Sequence, residues 1–249
     1  MEISSRQRVR VVLADDHVVV REGLRTLLEN EGFEVIGQAS DGHAAVAMCD
    51  TLQPDVAVLD IAMPLLNGID AAREILRCHP QIRIVLLTMY PEEWYVIAGL
   101  RAGATGYVLK SNVVSNLVQA IDAVTRSDTY LGPGVSRTVV NAYLSHAAAP
   151  SDPLSDRERQ VLQLIAEGKN MKEIGGVLGI SARTAETHRT RIMHKLSIGE
   201  VAGLVRYAIK SGLIDAGSAH ENDAGASPRM DFPRDHPVER MHVVGRKPA

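Results

Sequence analysis

Five polar residues stand where apolar runs stop: Asp15 and Asp16 after VRVVLA, Asp60 after PDVAVL, Thr88 after IRIVLL, and Lys110 after GYVL. If those runs are parallel strands of one sheet, their ends share an edge, and open α/β sheets bind ligands outside the carboxyl ends of their strands. Three carboxylates, a hydroxyl and an ammonium would then converge. Carboxylates so placed repel one another, by up to roughly 4 kcal/mol for a pair 4 Å apart at an effective dielectric near 20. A divalent cation relieves that repulsion, and Mg²⁺ suits an oxygen-lined site that also takes a phosphate. One carboxylate could then act as a nucleophile toward phosphorus, giving an aspartyl phosphate. Metal, ammonium and hydroxyl would offset the charge on the transferring phosphoryl oxygens. Taken singly, Asp15, Asp60 and Thr88 could each cap a helix, and Lys110 could be a solvated charge.

The elements that must position these residues are legible. Strands are expected at Val9–Ala14, Phe33–Ala39, Asp55–Leu59, Ile82–Leu87 and Thr105–Leu109, with helices near 17–30, 43–52, 68–78, 92–102 and 113–125. The runs are rich in Val, Ile and Leu without strict alternation, as in parallel strands covered on both faces. Five βα units specify a doubly wound, five-stranded parallel, flavodoxin-like α/β domain over residues 1–126. Residues 127–153 read as a linker, with Val135–Leu144 able to form one more helix before AAAPSDP.

From 154 to 215 the pattern is wholly helical, at 156–167, 171–178, 182–195 and 199–211. Ser155 with Glu158 forms a capping-box pattern before the first of these, and Ser181 occupies the cap position of the third. Met171–Leu178, a turn at Gly179-Ile180 and Ala182–Leu196 have the organisation of a helix-turn-helix. Arg183, Arg189, Arg191 and Lys195 face only Glu186 as a counter-charge in that stretch, a basic surface available to nucleic acid. Residues 216–249 are polar and rich in Pro, Gly, Asp and His, and disorder is expected there.

The chain of 249 residues carries a net charge of -3, so the basic stretch is a local asymmetry. Cys49 and Cys78 show neither zinc spacing nor a disulfide framework. MEISSRQRVR lacks the apolar core of a secretory signal, and no apolar run approaches the roughly 18 residues that span a membrane, so a cytoplasmic location without membrane contact is expected.

The first 126 positions resemble a response-regulator receiver domain, through ADDH, LDIAMP-x-x-NG, LLT and GYVLK in that order. The resemblance implies that Asp60 is the phospho-accepting aspartate and Asp15 and Asp16 the acidic metal pair. It makes Thr88 the switch hydroxyl, Tyr107 the switch aromatic and Lys110 the conserved-type lysine. The main-chain carbonyl of Ala62 would complete the Mg²⁺ shell. Ser111 after Lys110, where many receivers have proline, marks the NarL/FixJ branch.

LSDRERQVL, IAEGK, the Gly-Ile-Ser turn, TAETHR and HKL resemble the LuxR-type DNA-binding domain. In that family the third helix enters the major groove. The matching base-facing positions are Glu186, Thr187 and Thr190, while Arg183, Thr184, His188, Arg189 and Lys195 would touch phosphate or buttress the helix. Relatives dimerise through the last helix, making Val201, Leu204 and Tyr207 candidate contacts. Gly175-Gly176 and Ala185 depart from the family pattern and imply a thinner effector core.

The resemblance implies a transcription regulator of the NarL/FixJ type rather than an enzyme, capable at most of releasing its own phosphoryl group. A sensor histidine kinase would supply that group, promoter DNA would be bound by a homodimer, and RNA polymerase is a further partner it allows. An aspartate-nucleophile phosphatase of the haloacid-dehalogenase kind is the enzymatic alternative, but it needs a carboxylate where Ala62 stands. A DNA-binding regulator independent of phosphorylation, or one binding an acyl-lactone, would leave the acidic triad without a purpose.

Overall fold

In a computed structural model, residues 8–89, 93–144, 153–211 and 213–214 are described. The expectation of disorder over 216–249 and the AAAPSDP end of the linker lie almost entirely outside them. The chain runs β1 (Arg10–Ala14), α1 (Val18–Asn30), β2 (Glu34–Ala39), α2 (Gly42–Leu52), β3 (Val56–Asp60), α3 (Gly68–Cys78), β4 (Arg83–Thr88), α4 (Glu93–Arg101), β5 (Gly106–Leu109) and α5 (Val113–Thr125). It continues with β6 (Tyr130–Leu131), α6 (Pro133–Leu144), α7 (Asp156–Ala166), α8 (Met171–Leu178), α9 (Ala182–Leu196) and α10 (Val201–Lys210). All strand pairings are parallel, in the order β2-β1-β3-β4-β5-β6.

Alternation along the strands divides the apolar side chains between two cores. Val12, Ala14, Ala57, Leu59, Ile84, Leu86 and Tyr107 face one layer, with α2, α3, α4 and Val135 of α6. Val11, Leu13, Val56, Val58, Val85, Leu87 and Val108 face the other, with α1 and α5. Burying both faces removes any need for polar residues within β3, which is buried throughout. The polar residue of β3 is therefore confined to its carboxyl end, at Asp60, where the site forms.

The sheet has six strands rather than the five expected from sequence. Tyr130 N–H donates to Thr105 O at 2.8 Å and Gly132 N–H to Tyr107 O at 3.0 Å, adding a two-residue strand beside β5. Two residues are too short to leave a readable pattern. The stretch expected as a linker is thus partly built onto the receiver sheet, through β6 and α6. Cys49 and Cys78 are free, and burial pushes the Cys49 thiol up to about 12, leaving it unreactive at neutral pH.

The effector forms a third core, in which Val161, Leu162, Leu164, Ile174, Ala185, Ile192, Leu204 and Ala208 are buried. The Ser155–Glu158 capping box and the Ser181 cap are present as expected, and Asn170–Glu173 adds a second box at α8. The adjacent glycines of α8 have different reasons. A Cβ on Gly175 would sit 2.7 Å from Ile180 O, so the tight turn into α9 needs the missing side chain. A Cβ on Gly176 would meet nothing within 4 Å.

Gly176→Ala should therefore stabilise the effector by about 1 kcal/mol, since only helix propensity changes there. Gly175→Ala should destabilise it. Urea unfolding followed by circular dichroism checks both, as midpoints moving in opposite directions.

Candidate phosphoryl site and nucleic-acid interface

Register brings the polar strand ends together. Ala14 pairs with Leu59, so Asp15 follows at the level of Asp60, while Asp60 pairs with Leu87 and Thr88 with Leu109. Lys110 opens a 3-10 turn immediately after β5. Its Nζ lies 2.8 Å from Asp15 Oδ2 and 2.8 Å from Asp60 Oδ2. Asp15, Asp60 and Thr88 are buried at 0%, 2% and 4% exposure, and the Lys110 side chain is 10% exposed, so this lysine is not a solvated surface charge. Asp16 is half-buried beside them.

The simple capping explanations fail for Asp15 and Asp60. The N-cap of α1 is His17, with no side-chain cap, and that of α3 is Asn67, whose Oδ1 accepts from Ile69 and Asp70 N–H. Asp15 instead accepts from His17 N–H at 2.9 Å, a local turn that aims its other oxygen at Lys110. Gly68 permits the close approach of α3 to the site, because a Cβ there would lie 2.1 Å from Asp60 O.

Burial pushes the Asp60 carboxyl up to about 6, with Lys110 pulling it down and Asp15 and Asp16 adding like charge. Burial also opposes the charge on Lys110, but Asp60 and Asp15 outweigh it and hold the ammonium above the ordinary lysine range. The cluster keeps a surplus of negative charge that one ammonium does not neutralise. Ligand atoms of Asp15, Asp16, His17 and Asp60 lie within 4.8 Å of one another, close enough to share one cation. A predominantly oxygen donor set of this charge fits a hard divalent ion. His17 joins the cluster without having stood out in the sequence; its Nδ1 lies 2.7 Å from Asp16 Oδ1, and its place in ADDH is the only signal of it.

Tyr107 is fully buried, its ring against Gly99, where a Cβ would lie 2.9 Å from Cε2. An inward movement of Tyr107 on phosphorylation, as a switch aromatic would make, has no outward starting point here.

The helix-turn-helix is formed by α8 and α9 around Gly179, which takes φ +65°. Arg183, Thr184, Thr187, Thr190, Arg191 and Lys195 are exposed on α9, while Glu186, His188 and Arg189 are half-buried. Glu186 pairs with Arg189 one turn on. Thr187 and Thr190 donate their hydroxyls to the carbonyls of Arg183 and Glu186, each at 3.0 Å. Lys195 Nζ reaches Glu158 Oε2 at 2.6 Å, tying the end of α9 to the capping box of α7. Burial disfavours the Glu158 carboxylate, but the bonds from Lys195 and Ser155 prevail and hold its pKa below the usual range. Lys195 therefore has a buttressing partner within the domain.

Two family descriptions match this chain: "Response regulator receiver domain" over residues 11–122 and "Bacterial regulatory proteins, luxR family" over 152–208. The oxygen regulatory protein NreC of Staphylococcus carnosus is 39% identical over 216 residues, covering 83% of this chain and 100% of that protein. The transcriptional regulatory protein MctR of Rhizobium johnstonii is 38% identical, covering 85% and 98%. This chain is a response regulator of the NarL/FixJ type. Among solved structures, RcsB of Salmonella typhimurium superposes with a TM-score of 0.61 at 29% identity, covering 82% of this chain and 98% of that one. An RcsB–DNA complex matches with a TM-score of 0.52 at 30% identity, covering 82% and 99%. The protein is thus a DNA-binding transcriptional response regulator with a receiver and a LuxR-type effector. Among the described residues, no helix is long and apolar enough to cross a membrane.

The raised pKa of Asp60 sets a pH dependence in the absence of a divalent cation. A carboxyl that holds its proton more tightly folded than unfolded adds stability that is full below its ordinary value of 3.8 and lost as pH rises through about 6. At 1.36 kcal/mol per pH unit, the loss is on the order of 3 kcal/mol. Asp60→Asn, neutral at every pH, should melt higher than the wild type at pH 7.5 in chelator and equally near pH 4. Saturating Mg²⁺ should narrow the gap by stabilising the wild type. A gap independent of pH would contradict the burial argument.

Proposed function

We propose that Asp60 accepts a phosphoryl group from a sensor histidine kinase and that the phosphorylated protein binds promoter DNA as a homodimer. The observation that carries this reading is Lys110 Nζ at 2.8 Å from both Asp60 and Asp15, at the sheet edge that also holds Thr88. A carboxylate oxygen of Asp60 forms the new P–O bond as the donor's P–N bond breaks, and the leaving imidazole retains its electron pair and takes a proton. Lys110 and the Thr88 hydroxyl balance charge on the transferred oxygens. Mg²⁺ would be held by Asp15, Asp16, Asp60 and the Ala62 carbonyl, and it would supply positive charge to the phosphoryl oxygens. Thr88 is the moving part of the switch, drawn to the phosphoryl group, and Tyr107 is its aromatic partner, packed inward against Gly99 from the start.

The receiver function belongs to residues 1–126 and the DNA function to 154–215, joined through 127–153. The effector reads DNA through α9. Arg183, Thr184, His188 and Arg189 serve phosphate contact and orientation, with Lys195 as a buttress. Glu186, Thr187 and Thr190 face the bases. With the threonine hydroxyls committed to the helix backbone, their methyl groups are the contact a thymine methyl would find. Two half-sites about one helical turn apart, roughly 10 bp, suit a dimer built through Val201 and Tyr207 of α10; Leu204, expected to share that contact, is instead fully buried in the effector's own core. The protein acts in the cytoplasm, where RNA polymerase is available to it, and its only chemistry is acceptance and loss of its own phosphoryl group.

Asp60→Asn should abolish acid-labile incorporation from radiolabelled acetyl phosphate, because an amide is a poor nucleophile. Undiminished incorporation would overturn the assignment.

On DNA selected from random sequence, Arg183→Ala should weaken binding to every sequence about equally. It should also flatten the salt dependence by about 0.9 in log–log slope for each phosphate that is no longer neutralised. Thr187→Ala should instead change the base preferred at one position per half-site. The reverse pattern would contradict this orientation of α9.

A further inference from the structure

The cation cluster holds one ligand atom that is not oxygen. His17 Nδ1 lies 2.7 Å from Asp16 Oδ1 and 3.6 Å from Asp15 Oδ1. With Asp60, these side chains offer four ligand atoms within 4.8 Å of one another. Two ligands at right angles on one ion, each roughly 2.1 Å from it, stand about 3.0 Å apart. The two His17 distances bracket that spacing. The imidazole therefore needs little movement to share an ion with the carboxylates beside it.

The main chain puts His17 there. Asp15 N–H donates to Ala39 O at 3.2 Å, and Asp15 O accepts from Arg21 Nη1 at 2.6 Å, so this residue is pinned at both of its backbone polar groups. His17 N–H donates to Asp15 Oδ1 at 2.9 Å, and His17 O accepts from Arg21 N–H at 2.9 Å. The backbone from Asp15 to His17 is thus tied to the sheet and to α1, leaving only the side-chain torsions of His17 to be set. His17 occupies the N-cap position of α1 without a side-chain cap bond, so the start of the helix makes no demand on the ring. The ring is 59% exposed, open to an incoming ion, and its replacement empties no packed core.

Donor chemistry decides which ions benefit. Mg²⁺ prefers oxygen ligands and retained water, so a nitrogen donor adds little to its shell. Late first-row divalent ions gain from imidazole, the commonest protein ligand for metals of that kind. Ligation through Nδ1 uses the lone pair of the neutral ring, with the proton carried on Nε2. The carboxylates can serve both kinds of ion, which therefore contend for one site rather than filling two.

We propose that His17 is an auxiliary ligand that admits late first-row divalent ions, of the Co²⁺, Ni²⁺ and Zn²⁺ class, to the cation site of Asp15, Asp16 and Asp60, in competition with Mg²⁺. The proposal rests on those carboxylates forming a cation site, as in the reading above, and adds a nitrogen donor to it. The balance of divalent ions around the protein then decides which of them stands beside Asp60.

The test uses the full chain, freed of metal by chelator, as wild type, His17→Ala, His17→Gln and Asp16→Ala. Co²⁺ is the probe: it accepts oxygen ligands, favours imidazole, and shifts the exchangeable proton of a bound imidazole far outside the usual proton NMR range. The wild type should show one such resonance that Mg²⁺ displaces, and all three variants should lack it. Equilibrium dialysis should find Co²⁺ affinity weaker by roughly tenfold or more in both His17 variants, and Mg²⁺ affinity weaker by less than about threefold. His17→Gln keeps a side chain able to hydrogen-bond Asp16, so it rescues a bonding role and not a ligand role. Co²⁺ affinity restored in His17→Gln, or a wild type that binds Mg²⁺ without any Mg²⁺-displaceable resonance, would overturn the proposal and leave the Mg²⁺ reading standing. Equal loss of both ions in the His17 variants would also overturn it, because the effect would then lie in the carboxylates. A wild type to which Mg²⁺ does not bind would overturn the Mg²⁺ reading and the proposal together.

Discussion

The ion pairs that Lys110 makes with Asp15 and Asp60 are the constraint on which the receiver is organised. Two buried carboxylates at one sheet edge are untenable alone, and a single ammonium at 2.8 Å from each makes them tenable without neutralising them. The arrangement needs three strands in fixed register, because Asp15, Asp60 and Lys110 come from β1, β3 and β5. It needs both faces of the sheet covered, so that the site sits in a medium where charge placement matters. The remaining negative charge, on ligand atoms within 4.8 Å of one another, fits the site to a hard cation.

The same edge adjoins the effector, because the chain leaving Asp60 enters directly into the interdomain contact. Gln163 binds main-chain groups of Met63 and Asn67, so a change in the loop's path is felt at α7 whatever its side chains do. Within the effector, Lys195 and Glu158 join the far end of α9 to the start of α7. One helix, α7, therefore touches both the phosphoryl-site loop and the recognition helix.

Much of this was legible in the sequence because it depends on local pattern. The apolar runs marked β1 to β5 to within a residue or so, and the polar residues after them marked the site. Ser155 with Glu158 and Ser181 announced helix starts through cap chemistry that acts within four residues. What was not legible depends on distant partners. Gln163 reads as a polar position on an amphipathic helix, and its partners lie about a hundred residues away. Nothing near Leu65 signals a positive φ, since leucine rarely takes one. Gly176 and Gly175 look alike in sequence, and only the path into α9 separates them. Lys195 carries the charge of a phosphate contact, and the carboxylate that holds it lies on another helix.

The most direct measurement is chemical mapping of the phosphoryl group on the full chain. After incubation with acetyl phosphate and Mg²⁺, borohydride reduction converts an acyl phosphate to an alcohol, which peptide mass spectrometry locates. The account predicts homoserine at position 60 and at no other carboxylate, with the yield falling when Lys110 is changed to alanine. Homoserine at Asp15 or Asp16, or phosphate retained on a nitrogen, would contradict it.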